Sequence, residues 1–89
     1  MSALTREEIR AALVEVLLSI APETDAATLA PDEPLRSQLD LDSFDFLNVV
    51  IRLHERLGVD VPETDYAALA TLNGAVDYLA RRIETAHQG

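Results

Sequence analysis

The sequence predicts an all-α fold: a small bundle of three main helices plus a short fourth, with one long first loop. Apolar residues recur at helical spacing in three stretches of the 89-residue chain. No stretch keeps the two-residue alternation of a half-buried strand for more than a few positions. A chain of this length supports one modest core. We therefore expect a single domain over residues 1–89, with helices at about 5–20, 43–57, 64–69 and 72–85.

The first helix is predicted to begin at Thr5, which has capping-box spacing with Glu8. Its apolar face then repeats at helical spacing through Ile9, Ala12, Leu13, Val16, Leu17 and Ile20. Because proline cannot continue a helix, Pro22 is predicted to end it near Ala21.

A loop follows over residues 22–41, because three prolines and several acids interrupt any helical period. Four leucines of this segment are spaced like anchors onto a core: Leu29, Leu35, Leu39 and Leu41. Connections this long are uncommon in compact domains and are often functional.

The second helix is predicted over residues 43–57. Asp42 is a favourable N-cap, and Asp45 adds a negative charge to the positively polarised first turn. Gly58 is well placed to end the helix in the left-handed conformation.

The rest of the chain is predicted to hold a brief helix at residues 64–69 and then the last helix, with Thr71 as its cap. The last helix has one apolar face, made of Leu72, Ala75, Val76, Leu79 and Ile83.

The charge balance narrows the range of partners. Sixteen acidic residues against seven arginines, with no lysine, give a net charge of −9. Such a chain repels phosphate backbones and anionic lipid, so we expect no nucleic-acid partner and expect protein partners with basic surfaces. No stretch approaches the roughly 20 apolar residues of a membrane span, and the polar N-terminus does not fit a signal peptide. We expect a cytoplasmic protein without membrane insertion.

Neither catalytic residues nor a metal site are predicted. Ser43 and His54 supply two members of a hydrolytic triad, but they lie eleven residues apart on one helix. That is roughly 16 Å along its axis, whereas a nucleophile and its base lie within about 3 Å. The chain has no cysteine, and its two histidines, His54 and His87, are far apart in sequence. A non-enzymatic helical protein is the expectation.

The second helix is apolar over more of its surface than a small bundle needs. One stripe, formed by Phe46, Val49, Val50, Leu53 and Leu57, suits a core. A second, displaced stripe consists of Phe44, Leu47 and Ile51. Either neighbouring loops cover this second stripe, or it is an exposed docking surface flanked by acids, of which Asp42 and Asp45 are the nearest.

Ser43 lies where the unpaired N–H groups and the dipole of the second helix favour an attached phosphate. The alternative is that Ser43 and its aspartates only cap the helix. The segment Asp42-Ser43-Phe44-Asp45 resembles the Asp-Ser-Leu-Asp/Glu motif of acyl carrier proteins. The helix that follows, and the Gly58-Val59-Asp60-Val61-Pro62 stretch after it, are also similar to that family. The resemblance extends over nearly the whole chain, including Thr71-Leu72 and the run from Val76 to Leu79.

This resemblance implies an acyl-carrier-like fold and a carrier that is not an enzyme. A phosphopantetheinyl transferase, using coenzyme A and magnesium, would attach 4′-phosphopantetheine to Ser43, with Asp42 helping to position the metal. The thiol of the arm would hold acyl groups as thioesters for acyl-loading and acyl-transferring enzymes. Asp42, Phe44, Asp45, Leu47 and Ile51 would contact those partners, and the chain would act as a monomer.

Three residues depart from the pattern of housekeeping fatty-acid carriers. Phe44 replaces the usual leucine, Phe46 is larger than is common, and Asn48 stands where a partner-contacting glutamate is frequent. Arg52, His54 and Arg56 also make the second helix less acidic. These changes favour a specialised pathway, for example polyketide, lipid or amino-acid-activating. Two alternatives stay open: a carrier of aminoacyl or peptidyl groups, and an unmodified helical interaction module.

Overall fold

The computed structural model describes residues 4–88, with side chains through residue 83. Its α-helices are α1 (Arg6–Ile20), α2 (Leu35–Gln38), α3 (Ser43–Leu57) and α4 (Leu72–Gln88), and 3₁₀ turns occupy Ala26–Thr28 and Glu63–Leu69. Within residues 4–88 there is no β-strand; one isolated bridge pairs Pro34 with Thr71. The predicted small helical bundle is confirmed.

Three elements differ in detail from the sequence prediction. The long first loop contains α2 and the Ala26–Thr28 turn, and these elements are too short for a sequence period to reveal them. The brief helix after Pro62 is a 3₁₀ helix over Glu63–Leu69. The last helix continues to Gln88, beyond the predicted end near residue 85.

The ends of α1 and α3 follow from local chemistry. At α1, the Glu8 N–H donates to the Thr5 hydroxyl at 3.1 Å, and the Thr5 N–H donates to the Glu8 carboxylate at 2.8 Å. At the C-terminus of α3, Gly58 has φ 71°, a left-handed conformation that costs glycine little. These devices fix where both helices begin or end.

One core lies between α1, α3 and α4. Its largest fully buried side chains are Ile9, Leu13, Leu17, Leu53, Leu69, Leu72 and Leu79. The four predicted anchors of the first loop, Leu29, Leu35, Leu39 and Leu41, are all buried against this core. Their burial holds the first loop close to the bundle.

Backbone hydrogen bonds tie the first loop to the start of α4, and the Gln38 side chain ties the loop to itself. The Leu35 N–H donates to the Ala70 carbonyl at 2.7 Å, and the Asn73 N–H donates to the Pro31 carbonyl at 3.0 Å. The Gln38 side chain accepts from the Ala30 N–H at 2.7 Å and donates to the Ala30 carbonyl at 2.9 Å. The segment that leads into α3 is therefore held from two sides.

A side-chain hydrogen bond from Tyr78 joins α4 to the Glu63–Leu69 3₁₀ helix. The Tyr78 hydroxyl donates to the Asp65 carboxylate at 2.6 Å. Partial burial, then this hydrogen bond, raises the pKa of Tyr78 above its usual value. Arg82 stacks over the Tyr78 ring and donates to the Asp60 carbonyl at 2.8 Å.

Over residues 4–88, no helix combines the length and the hydropathy that crossing a membrane requires.

Candidate functional site at the start of α3

The first turn of α3 is a closed capping box of two aspartates. The Asp45 N–H donates to the Asp42 carboxylate at 2.8 Å, and the Asp42 N–H donates back to the Asp45 carboxylate at 3.4 Å. Ser43 is the first residue of the helix and is exposed. The two aspartates therefore cap the helix, and the Ser43 hydroxyl between them is exposed to solvent.

A sharp turn before α3 sets the direction in which the helix leaves the loop. Asp40 has φ 54°, the left-handed region that aspartate tolerates better than most side chains. Leu39 and Leu41 on either side are buried, and the Leu41 N–H donates to the Arg36 carbonyl at 2.9 Å. Asp40 follows the C-cap of α2, and a left-handed residue there, with the bond from Leu41 to Arg36, is a common way for a helix to end.

The second stripe of α3 is exposed, which resolves the alternative left by the sequence. Phe44 is 77% exposed, Leu47 43% and Ile51 48%. The core stripe is buried at Phe46, Val49, Val50 and Leu53, with Leu57 half-buried. The interpretation in which loops cover the second stripe is therefore wrong. We call Phe44, Leu47 and Ile51 the α3 strip.

A groove with a volume of about 430 Å³ opens beside the serine. It is lined by Arg36, Ser43, Phe46, Leu47, Glu63 and Tyr66. The Phe46 ring meets the Tyr66 ring edge-on, with centroids 5.4 Å apart and planes at 66°. The Arg36 guanidinium carbon lies 5.7 Å from the centroid of the same Phe46 ring. The sequence analysis did not select Arg36 or Tyr66, although Arg36 is the one basic residue between Pro22 and Leu41.

Other candidate groups are placed differently. The Ser19 hydroxyl donates to the Val16 carbonyl at 2.6 Å within α1, whereas Ser37 is exposed on the four-residue α2. Ser43 begins α3 and His54 lies in its last turn, so the helix itself keeps the two side chains apart. The side chain of His87 lies outside the described residues. Across the described part of the chain, no group of three or more His, Asp or Glu residues is arranged to hold a metal ion.

Comparison with known proteins agrees with this arrangement. Residues 7–79 match the family model described as "Phosphopantetheine attachment site". The acyl carrier protein of Acidothermus cellulolyticus is 35% identical over 80 residues, which cover 88% of this chain and 92% of that protein. The acyl carrier protein of Myxococcus xanthus is 31% identical, covering 84% and 94%. The meromycolate extension acyl carrier protein of Mycobacterium leprae is 27% identical, covering 89% and 68%.

The chain belongs to the acyl carrier protein family, the phosphopantetheine-bearing carriers. It is accordingly an acyl carrier and not a catalyst, and its cofactor is 4′-phosphopantetheine. Its partners, as for this family in general, are a phosphopantetheinyl transferase and biosynthetic enzymes. The start of α3 fits a phosphopantetheine group, because the exposed Ser43 hydroxyl lies at a helix N-terminus beside an open groove lined by Arg36.

Proposed function

We propose that Ser43 is the residue that carries the phosphopantetheine arm. The observation that supports this is the exposed Ser43 hydroxyl at the first turn of α3, between the capping aspartates Asp42 and Asp45. In the transfer, the Ser43 oxygen attacks the phosphorus that carries the pantetheine half of coenzyme A. A phosphodiester forms, the pyrophosphate bond breaks, and adenosine 3′,5′-bisphosphate leaves as the serine loses its proton. When attached, the arm supplies the thiol that holds acyl groups as thioesters.

Partner enzymes are proposed to dock on the α3 strip. Three large apolar side chains exposed along one helix face, next to the attachment residue, suit the apolar centre of a transient interface. Asp42 and Asp45 stand at the Ser43 end of this strip, where they would attract basic partner surfaces and raise the association rate. Asp42, in addition, is proposed to help position the transferase's magnesium.

The pathway is proposed to be a specialised one, as the sequence predicts, and not the housekeeping fatty-acid synthase. The C-terminal half of α3 carries Arg52, His54 and Arg56, so its surface is less acidic than its start. Several relatives are named as meromycolate extension acyl carrier proteins. A carrier with such a mixed helix suits enzymes whose docking surfaces are not uniformly basic.

Three further properties belong to the same proposal. The chain is proposed to work as a single domain over residues 1–89 and as a monomer, with the α3 strip reserved for enzymes. A cytoplasmic location is proposed because the coenzyme A that supplies the arm is an intracellular metabolite.

The test of Ser43 is intact-mass spectrometry after incubation with coenzyme A, magnesium and a promiscuous phosphopantetheinyl transferase. The native chain is expected to gain the mass of one arm, and Ser43→Ala to gain none. Ser37→Ala is the matched control, because Ser37 is also exposed in a short helix a few residues upstream. A mass gain in Ser43→Ala would place the arm elsewhere, and no gain in the native chain would favour an unmodified interaction module.

A further inference from the structure

The surface around the proposed attachment residue is strongly negative. A phosphodiester on Ser43 adds a negative charge to a surface that already holds Asp42 and Asp45. Glu63, across the groove, adds a third carboxylate. The dipole of α3 favours the added charge, but the three carboxylates repel it, and a nearby cation would offset that repulsion.

The cation at hand is Arg36. It is the one basic residue among those that line the groove with Ser43. Among the described side chains its guanidinium forms no hydrogen bond or ion pair, and its neighbour is the Phe46 ring at 5.7 Å. Contact with an aromatic face orients a guanidinium while leaving its N–H donors, which lie in the guanidinium plane, available to an anion.

The aromatic part of the groove is formed by side chains that pack against one another. Phe46 is buried and packs edge-on against the half-buried Tyr66, so both rings have defined positions. The Tyr66 hydroxyl has no hydrogen-bond partner within residues 4–83, and it lines the same groove as the exposed Leu47. A tyrosine hydroxyl and an apolar wall suit a chain of amides and methyl groups. Pantetheine is such a chain.

We propose that Arg36 is the counterion of the phosphodiester on Ser43, and that the groove both residues line holds the adjoining part of the arm. This inference rests on the proposed attachment at Ser43. Arg36 is thus a positioning residue: it neutralises the added charge and directs the arm toward Phe46 and Tyr66. The groove's volume of about 430 Å³ lies within the range of small-ligand sites.

The first experiment is a cycle of four proteins: the native chain and Arg36→Gln, each with and without the arm. Intact mass confirms attachment before any other measurement, so failure of the Ser43 assignment is seen separately. On attachment, the melting temperature of Arg36→Gln is expected to fall by about 2–5 °C more than that of the native chain. The excess is expected to shrink in high salt, because the added charges are exposed.

Two matched variants separate charge at the groove from charge in general. Arg36→Lys keeps the cation and is expected to retain most of the native response. Arg52→Gln removes a cation from α3 nine residues beyond Ser43, roughly 13 Å along the helix axis, and is expected to respond as the native chain does. An equal response of Arg36→Gln and Arg52→Gln would overturn the assignment of Arg36.

A second measurement uses only the native protein. With an isotope-labelled arm, nuclear Overhauser contacts are expected between the pantetheine methyl groups and the ring protons of Phe46 and Tyr66. The Arg36 Nε–H resonance is expected to shift on attachment. An arm that tumbles freely, without these contacts and without that shift, would refute the groove while leaving Ser43 as the attachment residue.

Discussion

Replacing exposed and buried apolar residues of α3 gives a sharp test of the docking surface. Ile51 is 48% exposed and Leu53, two residues on, is 0% exposed. Full burial of such a side chain contributes about 1.5–3 kcal/mol, so truncating the half-exposed Ile51 to alanine is expected to cost about 1 kcal/mol or less. Truncating Leu53 leaves a cavity in the core and is expected to cost about 2–5 kcal/mol. Leu47→Ala is expected to behave like Ile51→Ala.

The assay pairs a urea melt with the rate of phosphopantetheine transfer, measured where every variant is folded. Leu47→Ala and Ile51→Ala are expected to lower kcat/KM at least about fivefold with little loss of stability, because an apolar residue at the centre of an interface contributes about 1 kcal/mol or more. Leu4 is 42% exposed and lies outside α3, so Leu4→Ala is the control for losing any exposed leucine. We expect it to change neither quantity much.

The reasoning would be refuted by a particular pattern of results. If Leu47→Ala and Ile51→Ala lost as much stability as Leu53→Ala, the α3 strip would be core in solution. If both variants kept native stability and native transfer rates, the transferase would not dock there. In that case Ser43 and the acidic first turn would remain as the functional surface.

Four further outcomes are expected. The stabilisation from the Tyr78–Asp65 hydrogen bond is fully present below about pH 10 and is lost as the pH rises through the raised pKa of Tyr78, so the stability difference between the native chain and Tyr78→Phe in urea melts should be constant below about pH 10 and narrow above it. Gln38→Ala should cost about 1–3 kcal/mol, because it leaves the Ala30 N–H and carbonyl without their partner; equal melts for both proteins would contradict this. Asp40→Val should cost about 1 kcal/mol or more at φ 54°, whereas Asp40→Gly should not destabilise, and the reverse order would show that the turn relaxes. Added salt should raise the melting temperature, because a net charge of −9 opposes folding; the highest melting temperature at low salt would contradict this.

The starts of α1 and α3 and the end of α3 could be predicted because each rests on residues that are close in sequence. Thr5 with Glu8 and Asp42 with Asp45 are pairs three residues apart, and Gly58 acts alone. The spacing of apolar residues likewise identified the α3 strip. Only the structure shows that this strip is exposed, because covering it would depend on segments elsewhere in the chain.

The groove could not be predicted for the same reason. Arg36 belongs to the four-residue α2 and Tyr66 to a 3₁₀ turn, and both meet at Phe46 of α3. No local pattern links residues 30 positions apart; their meeting follows from burial of the loop leucines. The left-handed Asp40 is a second example, since it ends α2, a helix too short for a sequence period to reveal.

The bonds between the first loop and α4 can form only late in synthesis of the chain. The Asn73 side chain donates to the Asp32 carboxylate at 2.8 Å across a separation of 41 residues, and Leu35 is held by Ala70. During synthesis Ser43 emerges from the ribosome before Ala70 and Asn73, which lie 27 and 30 residues further along the chain, so these bonds to the loop cannot yet form. A transferase that recognises the folded surroundings of Ser43 would therefore not modify nascent or truncated chains. The same contacts that shape the site would reserve the arm for carriers that have completed folding.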